Sequence, residues 1–190
     1  MNDLVMNDLG SWVRTRTAAV VQAGGGDDPA SAMLARESLR DLAVLYAMAV
    51  DSHDLHALGL MFHPEATFGR DGEIARGRAE ILNLLGASMH GFRRMIHTPE
   101  THVVHAWGDT GWGLATGHAE LVTGKGVVVA AHEYEDEYAV HDGRWVFTTR
   151  KVRFVYAARS DEYSRVLPDA RRVRLPGEPA REMRGRWLTS

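Results

Sequence analysis

The chain has 190 residues, 25 acidic and 22 basic side chains and a formal net charge of −3, enough for one domain with a sizeable core. That balance gives no basis for a general nucleic-acid binder. Cysteine is absent, which excludes a disulfide framework, a thiolate metal site and a cysteine nucleophile, and fits a reducing cytoplasm.

Residues 1–30 read as a peripheral arm. A short helix over residues 1–21 is broken by Gly24-Gly25-Gly26-Asp27-Asp28-Pro29, leaving a flexible or subunit-contact segment. Asp3 and Asp8 interrupt the start, and no apolar run is long enough for a signal peptide or a membrane span. The domain proper is expected over residues 31–156, with Ser31 as N-cap of a helix over residues 32–50. Within LRDLAVLYAMAVDSHDLHALGLMFHPEATF, residues 39–68, Leu42, Leu45 and Ala49, then Leu55, Leu58, Met61 and Phe62, recur at helical spacing and predict a core-facing stripe. Tyr46 and Asp51 interrupt it. They lie about 1.4 helical turns apart, so both lean toward one end of a common cavity. An acid beside an apolar helix end must be paired, capped or used.

A second helix over residues 54–62 ends before Pro64, a strand opens at Ala66-Thr67-Phe68, and a third helix follows over residues 77–91 with Ile81, Leu84, Leu85 and Met89 as its apolar stripe. From His97 the pattern changes to strands separated by Gly108-Asp109, Thr123-Gly124-Lys125-Gly126 and His141-Asp142-Gly143. Helices followed by a meander indicate an α+β fold, with three helices packed on one face of a curved, mostly antiparallel sheet. In residues 127–140, Glu133, Glu135 and Glu137 belong in water, so His132, Tyr134, Asp136 and Tyr138 face inward. In residues 144–156, Trp145, Phe147 and, by the same parity, Arg153 are the inward candidates. Such a face suits a small-molecule pocket better than a dry core. Residues 157–190 are rich in Arg and Pro, lack periodicity and read as a tail on a neighbouring surface.

In order, YAMAVDSHDLHALGLMFHPEATF, the Gly77-to-Ile81 helix start, MIHTPETHVVHAWGDTGWGLATG and EYEDEYAVHDGRWVFTTRKVRFVY resemble the SnoaL-like branch of the nuclear transport factor 2-like superfamily, over about residues 34–156. The resemblance implies a cone-shaped α+β barrel whose open end binds an apolar ligand. Relatives of this kind include scytalone dehydratase, bile acid 7α-dehydratase, hexachlorocyclohexane dehydrochlorinase and polyketide cyclases. By that resemblance Asp51 and His97 match an Asp–His dyad and Tyr46 matches a pocket tyrosine. Arg153 falls where the bile acid enzyme has a pocket arginine, and Tyr134 lies on the strand that supplies another tyrosine. Phe68, Trp145 and His132 complete the expected substrate wall. Val50 stands where scytalone dehydratase has a tyrosine, and the second catalytic histidine of that enzyme has only His118 or His132 as stand-ins.

A neutral imidazole abstracts a proton near pH 7 when a carboxylate fixes its tautomer, which explains why such residues occur as a pair. The expected activity is a cofactor-independent lyase or isomerase acting on an apolar oxygenated ring compound. The rivals are a non-catalytic binding or assembly module of the same fold, and cyclisation or epoxide opening in the same pocket. Retained Tyr, Asp, His and Arg groups favour an enzyme. His53, His56 and His63, like His97, His102 and His105, are closely spaced but lack an H-E-x-x-H pattern, so neither metal nor cofactor is expected. A homodimer or homotrimer is expected, with the sheet's outer face or the C-terminal tail in the contact, since Val127, Val129 and Ala131 leave an apolar strip on the convex face.

Overall fold

The computed structural model describes residues 28–70 and 72–182. The expected N-terminal arm, except for its last three residues, lies outside them. Helix α1, Pro29–Asp51, starts earlier than Ser31 suggested. The Asp28 carboxylate accepts from the backbone N–H of Ala30 and Ser31, and Pro29 occupies the first turn, where its missing N–H costs nothing. Leu39, Leu42, Tyr46, Ala49 and Val50 are buried, whereas Leu45, expected on the core stripe, is half exposed. The phase set by Leu39 and Tyr46 carries Leu45 to the helix flank.

Helix α1 ends because the Ser52 N–H and hydroxyl both turn back to the Met48 carbonyl, and His53 takes a left-handed φ of 57°. The Asp54 side chain then caps α2, Leu55–Met61, by accepting from the Ala57 N–H at 2.9 Å. Strand β1, Phe62–Arg70, follows directly and pairs antiparallel with β2, Glu73–Arg76. Helix α3, Arg78–Met89, buries Ile81, Leu85 and Met89. Four long strands complete the sheet: β3, Arg94–Trp107; β4, Thr110–Thr123; β5, Gly126–His141; β6, Arg144–Arg159.

The sheet order is β2-β1-β6-β5-β4-β3. Every pairing is antiparallel except β1 with β6, so the sheet is mixed, curved and open rather than a closed barrel. Helix α1 packs on β3 and α3 on β1, and the core lies between helices and sheet. On β4 the inward positions are Gly111, Gly113, Ala115, Gly117 and Ala119. A Cβ at Gly113 would meet the Tyr138 hydroxyl at 2.9 Å, and one at Gly117 would meet His132 Nε2 at 3.0 Å. These missing side chains make room for a buried polar layer.

Strand β6 departs from simple alternation. Its register with β5 slips between Glu137↔Thr149 and Tyr138↔Phe147, and again between Ala131↔Tyr156 and His132↔Phe154. Thr148 and Val155 are therefore extra residues, and each reverses the facing of the strand on either side of it. Arg150, Val152 and Phe154 turn inward as a result. Arg153, expected inward by its parity, turns outward toward Glu133, with Nε 3.9 Å from Oε2. Glu133, expected in water, is buried beneath it. Beyond Tyr156, β6 runs on to Arg159, a 3-10 turn covers Ser160–Glu162, and α4 spans Tyr163–Val166. The chain then returns to the cone, where Ala157 donates to the Arg172 carbonyl and accepts from the Arg174 N–H. Val166, Val173 and Leu175 are buried, so residues 157–181 pack on their own domain; their apolar anchors show no periodicity because the backbone there is irregular.

Candidate functional site

A cavity of about 430 Å³ opens between α1, α3 and the concave face of the sheet. Its wall is mainly apolar, with Val50, Phe68, Leu85, Met95, Leu121 and Phe154 among the lining residues. Tyr46, His97 and Tyr134 supply polar groups within that wall, while Arg70, Glu73 and Glu178 also line it. The volume and the small number of polar groups match a site for a small apolar molecule.

Asp51, the last residue of α1, reaches across to β3 with both carboxylate oxygens. Oδ2 accepts from the His97 backbone N–H at 2.9 Å, and Oδ1 accepts from His97 Nδ1 at 2.6 Å. The helix stop at Ser52 and His53 thus aims Asp51 at the one strand residue whose ring and backbone it can hold together. With the proton on Nδ1, His97 Nε2 carries a lone pair. Neither side chain is sealed from solvent, at 14% exposure for His97 and 25% for Asp51.

Behind this dyad lies the buried polar layer. The Arg150 guanidinium sits 4.1 Å from the Tyr46 ring centroid, 3.8 Å from that of Tyr134 and 4.4 Å from that of Phe147. Its Nη1 is 3.6 Å from Asp136 Oδ2, and both side chains are sealed from solvent. The Tyr138 hydroxyl donates to Asp136 Oδ2 at 3.0 Å and so accepts from His102 Nε2 at 3.2 Å. Burial pushes the Asp136 carboxyl up to about 6, with Arg150 and Tyr138 pulling the other way. Burial also raises the Tyr46 and Tyr134 phenols, which stay neutral donors at pH 7.

Of the expected site residues, the structure brings Tyr46, Phe68, His97 and Tyr134 to the main cavity and Asp51 to His97. His132 lies deeper, in a small chamber shared with Tyr46, His97, Tyr134 and Arg150, its ring 5.7 Å from that of His97. Trp145 packs against the core without lining the cavity, and Arg153 faces the outer surface of the sheet. Arg150 and the lining residues Leu175, Pro176 and Glu178 carry no signal in the sequence that marks them as site residues. Among the described residues, no group of three or more His, Cys, Asp or Glu is placed to hold a metal ion. No described helix is long and apolar enough to cross a membrane.

Burial holds His132 down at about 3 and His102 at about 4, against an ordinary 6.5. The unfolded chain therefore takes these protons first. Their contribution to stability is complete above about pH 6.5 and is lost as pH falls toward 4 and then 3. Asp136 opposes this, since its folded carboxyl takes a proton before the unfolded one does, but it is one group against two. Urea midpoints are expected to drop between about pH 7 and about pH 4.5, and to drop less in His132→Gln. An equal drop in that variant would remove His132 as a cause.

A family model described as the SnoaL-like domain matches residues 31–151. Among solved structures, a putative scytalone dehydratase from Novosphingobium aromaticivorans is similar at a TM-score of 0.63 and 15% identity, covering 77% of this chain and 96% of that one. The hexachlorocyclohexane dehydrochlorinase LinA-type3 from Novosphingobium barchaimii gives a TM-score of 0.61 at 19% identity, covering 66% of this chain and 90% of that one. A Mycobacterium tuberculosis protein of unknown function, Rv3472, gives 0.62 at 21%, covering 74% and 82%. At these identities the structures speak for the fold alone. No curated protein sequence matches the chain. With the family model spanning the helices, the dyad and most of the sheet, this chain belongs to the SnoaL-like domain family.

Proposed function

We propose that this chain is a cofactor-independent lyase or isomerase of dehydratase type, acting on an apolar oxygenated ring compound of steroid, terpenoid or polyketide kind. The observation that carries this reading is the 2.6 Å Asp51–His97 hydrogen bond on the wall of a mostly apolar cavity. His97 Nε2 takes a proton from a ring carbon next to a carbonyl. Asp51 holds the tautomer and balances the imidazolium. The tyrosine hydroxyls of Tyr46 and Tyr134 donate to the oxygen on which charge develops. In an elimination the C–H electron pair becomes the new double bond and the leaving hydroxyl departs as water with the proton held on His97. In an isomerisation the same proton returns to another carbon. The solved relatives named for dehydratase and dehydrochlorinase activities are consistent with proton abstraction followed by loss of a leaving group.

The test works before the substrate is identified. Molecules co-purifying with the protein are identified by native mass spectrometry, and a panel of cyclic ketones and ketols is incubated with it in deuterated water. Deuterium uptake next to the carbonyl is expected in wild type and absent in His97→Gln. Uptake that persists in the variant would move the base elsewhere. A retained ligand with no exchange and no conversion would make the cone a binding module.

We further propose a homodimer or homotrimer in a reducing cytoplasm, formed through the convex face where Val127 and Val129 stay partly exposed. Light scattering at micromolar concentration should give twice or three times the chain mass; a monomer would contradict it.

A further inference from the structure

One wall of the cavity is not part of the cone proper. Val173 and Arg181 exchange both backbone hydrogen bonds, at 3.1 and 2.8 Å, and so close a hairpin. Its base is tied to β6 through Ala157. Its tip turns at Pro176 and Gly177, where φ is +79°, a conformation that glycine adopts without strain. Leu175, Pro176 and Glu178 of that tip line the cavity.

The tip is tied down by charge. Arg70, at the end of β1, donates through Nη2 to Glu178 Oε1 at 3.0 Å and through Nη1 to Ser88 Oγ of α3 at 3.2 Å. The second Glu178 oxygen accepts from Arg181 at 2.6 Å. Arg70 is thus the point where hairpin, sheet and α3 meet at the cavity edge. We propose that this hairpin is a gate over the cavity, latched by Arg70 and Glu178, and that ligand passes when the latch breaks. The base bridges to β6 stay intact as the tip swings, so opening does not require unfolding. Arg70 and Glu178 are 23% and 29% exposed, so water and salt reach the latch. Buried Leu175 returns the tip to the closed position.

The gate rests on the cavity as a ligand site, not on the chemistry of the dyad. It is tested with the neutral fluorophore N-phenyl-1-naphthylamine in stopped flow, together with hydrogen exchange. In Glu178→Gln and in Arg70→Gln, association and dissociation rates should both rise about two- to fivefold while Kd changes less. High salt should speed wild type and leave the variants unchanged. Amides of the tip, residues 175–180, should exchange faster in both variants, with those of Val173, Arg174 and Arg181 at the base and the urea midpoint unmoved. Arg165→Gln, which breaks an exposed ion pair with Glu162 away from the cavity, is the control and should keep wild-type probe rates; the probe undergoes no reaction, which separates failure of the gate from failure of the proposed catalysis. Unchanged exchange at these amides overturns the gate, as does a weaker Kd with an unchanged association rate.

Discussion

Turnover is expected to fall roughly 10²–10⁴-fold in His97→Gln, with the urea midpoint close to that of wild type. Glutamine keeps much of the volume of the imidazole but cannot titrate. The side chain stands at the cavity wall, so its replacement leaves no sealed void. Asp51→Asn should lose activity heavily for a different reason. The amide can still accept from the His97 N–H through its oxygen, which turns its NH₂ toward Nδ1. Nδ1 must then accept, the ring proton moves to Nε2, and the lone pair that should take the substrate proton is gone. Tyr46→Phe removes one donor and should cost about 1–3 kcal/mol in barrier. Full activity in His97→Gln would end the reading of this residue as the base, and His132, in the adjoining chamber, would be the next candidate.

The second large effect concerns Arg150. Replacing it with methionine should destabilise the fold by about 3–5 kcal/mol at neutral pH, because Asp136 loses its cation and must either stay charged in a sealed site or take up the proton that burial already favours, while the guanidinium's contacts with the aromatic rings are lost as well. The loss exceeds what the aromatic stacking alone contributes. Adding Asp136→Asn should restore much of it, since an amide oxygen still accepts from Tyr138 and no charge remains to be desolvated. Urea unfolding of the two variants measures the difference. A single variant within about 1 kcal/mol of wild type would show that the pair is not held ionised.

The helix–strand switch near His97, the order of the elements and the pairing of Asp51 with His97 were legible in the sequence. Periodicity marks the former, and a resemblance spanning both halves of the chain marks the latter. Tyr46 and Tyr134 were legible as inward groups because α1 and β5 keep regular phase around them. Arg150 was not. The extra residue at Thr148 sits in Thr148-Thr149-Arg150, with no glycine or proline to mark it. Counting by twos from Trp145 therefore selects Arg153, which faces the other side. The start of α1 is ambiguous between two good caps, Asp28 and Ser31, and Pro29 directly after Asp28 favours the earlier one. The cavity edge at residues 175–178 was invisible for a different reason. Its one apolar anchor, Leu175, contributes through an irregular hairpin, and a lone leucine among arginines and prolines carries no period to read.

The parallel pairing of β1 with β6 sets the order in which this chain can assemble. During synthesis β3, β4 and β5 can zip together as each emerges, since their contacts are local. The β1–β2 hairpin has no partner for its inner edge until β6 has left the ribosome. Until then that edge is open to other chains. The first third of the protein is made early and finished last, and the cavity, whose wall draws on both halves, has no precursor on the way.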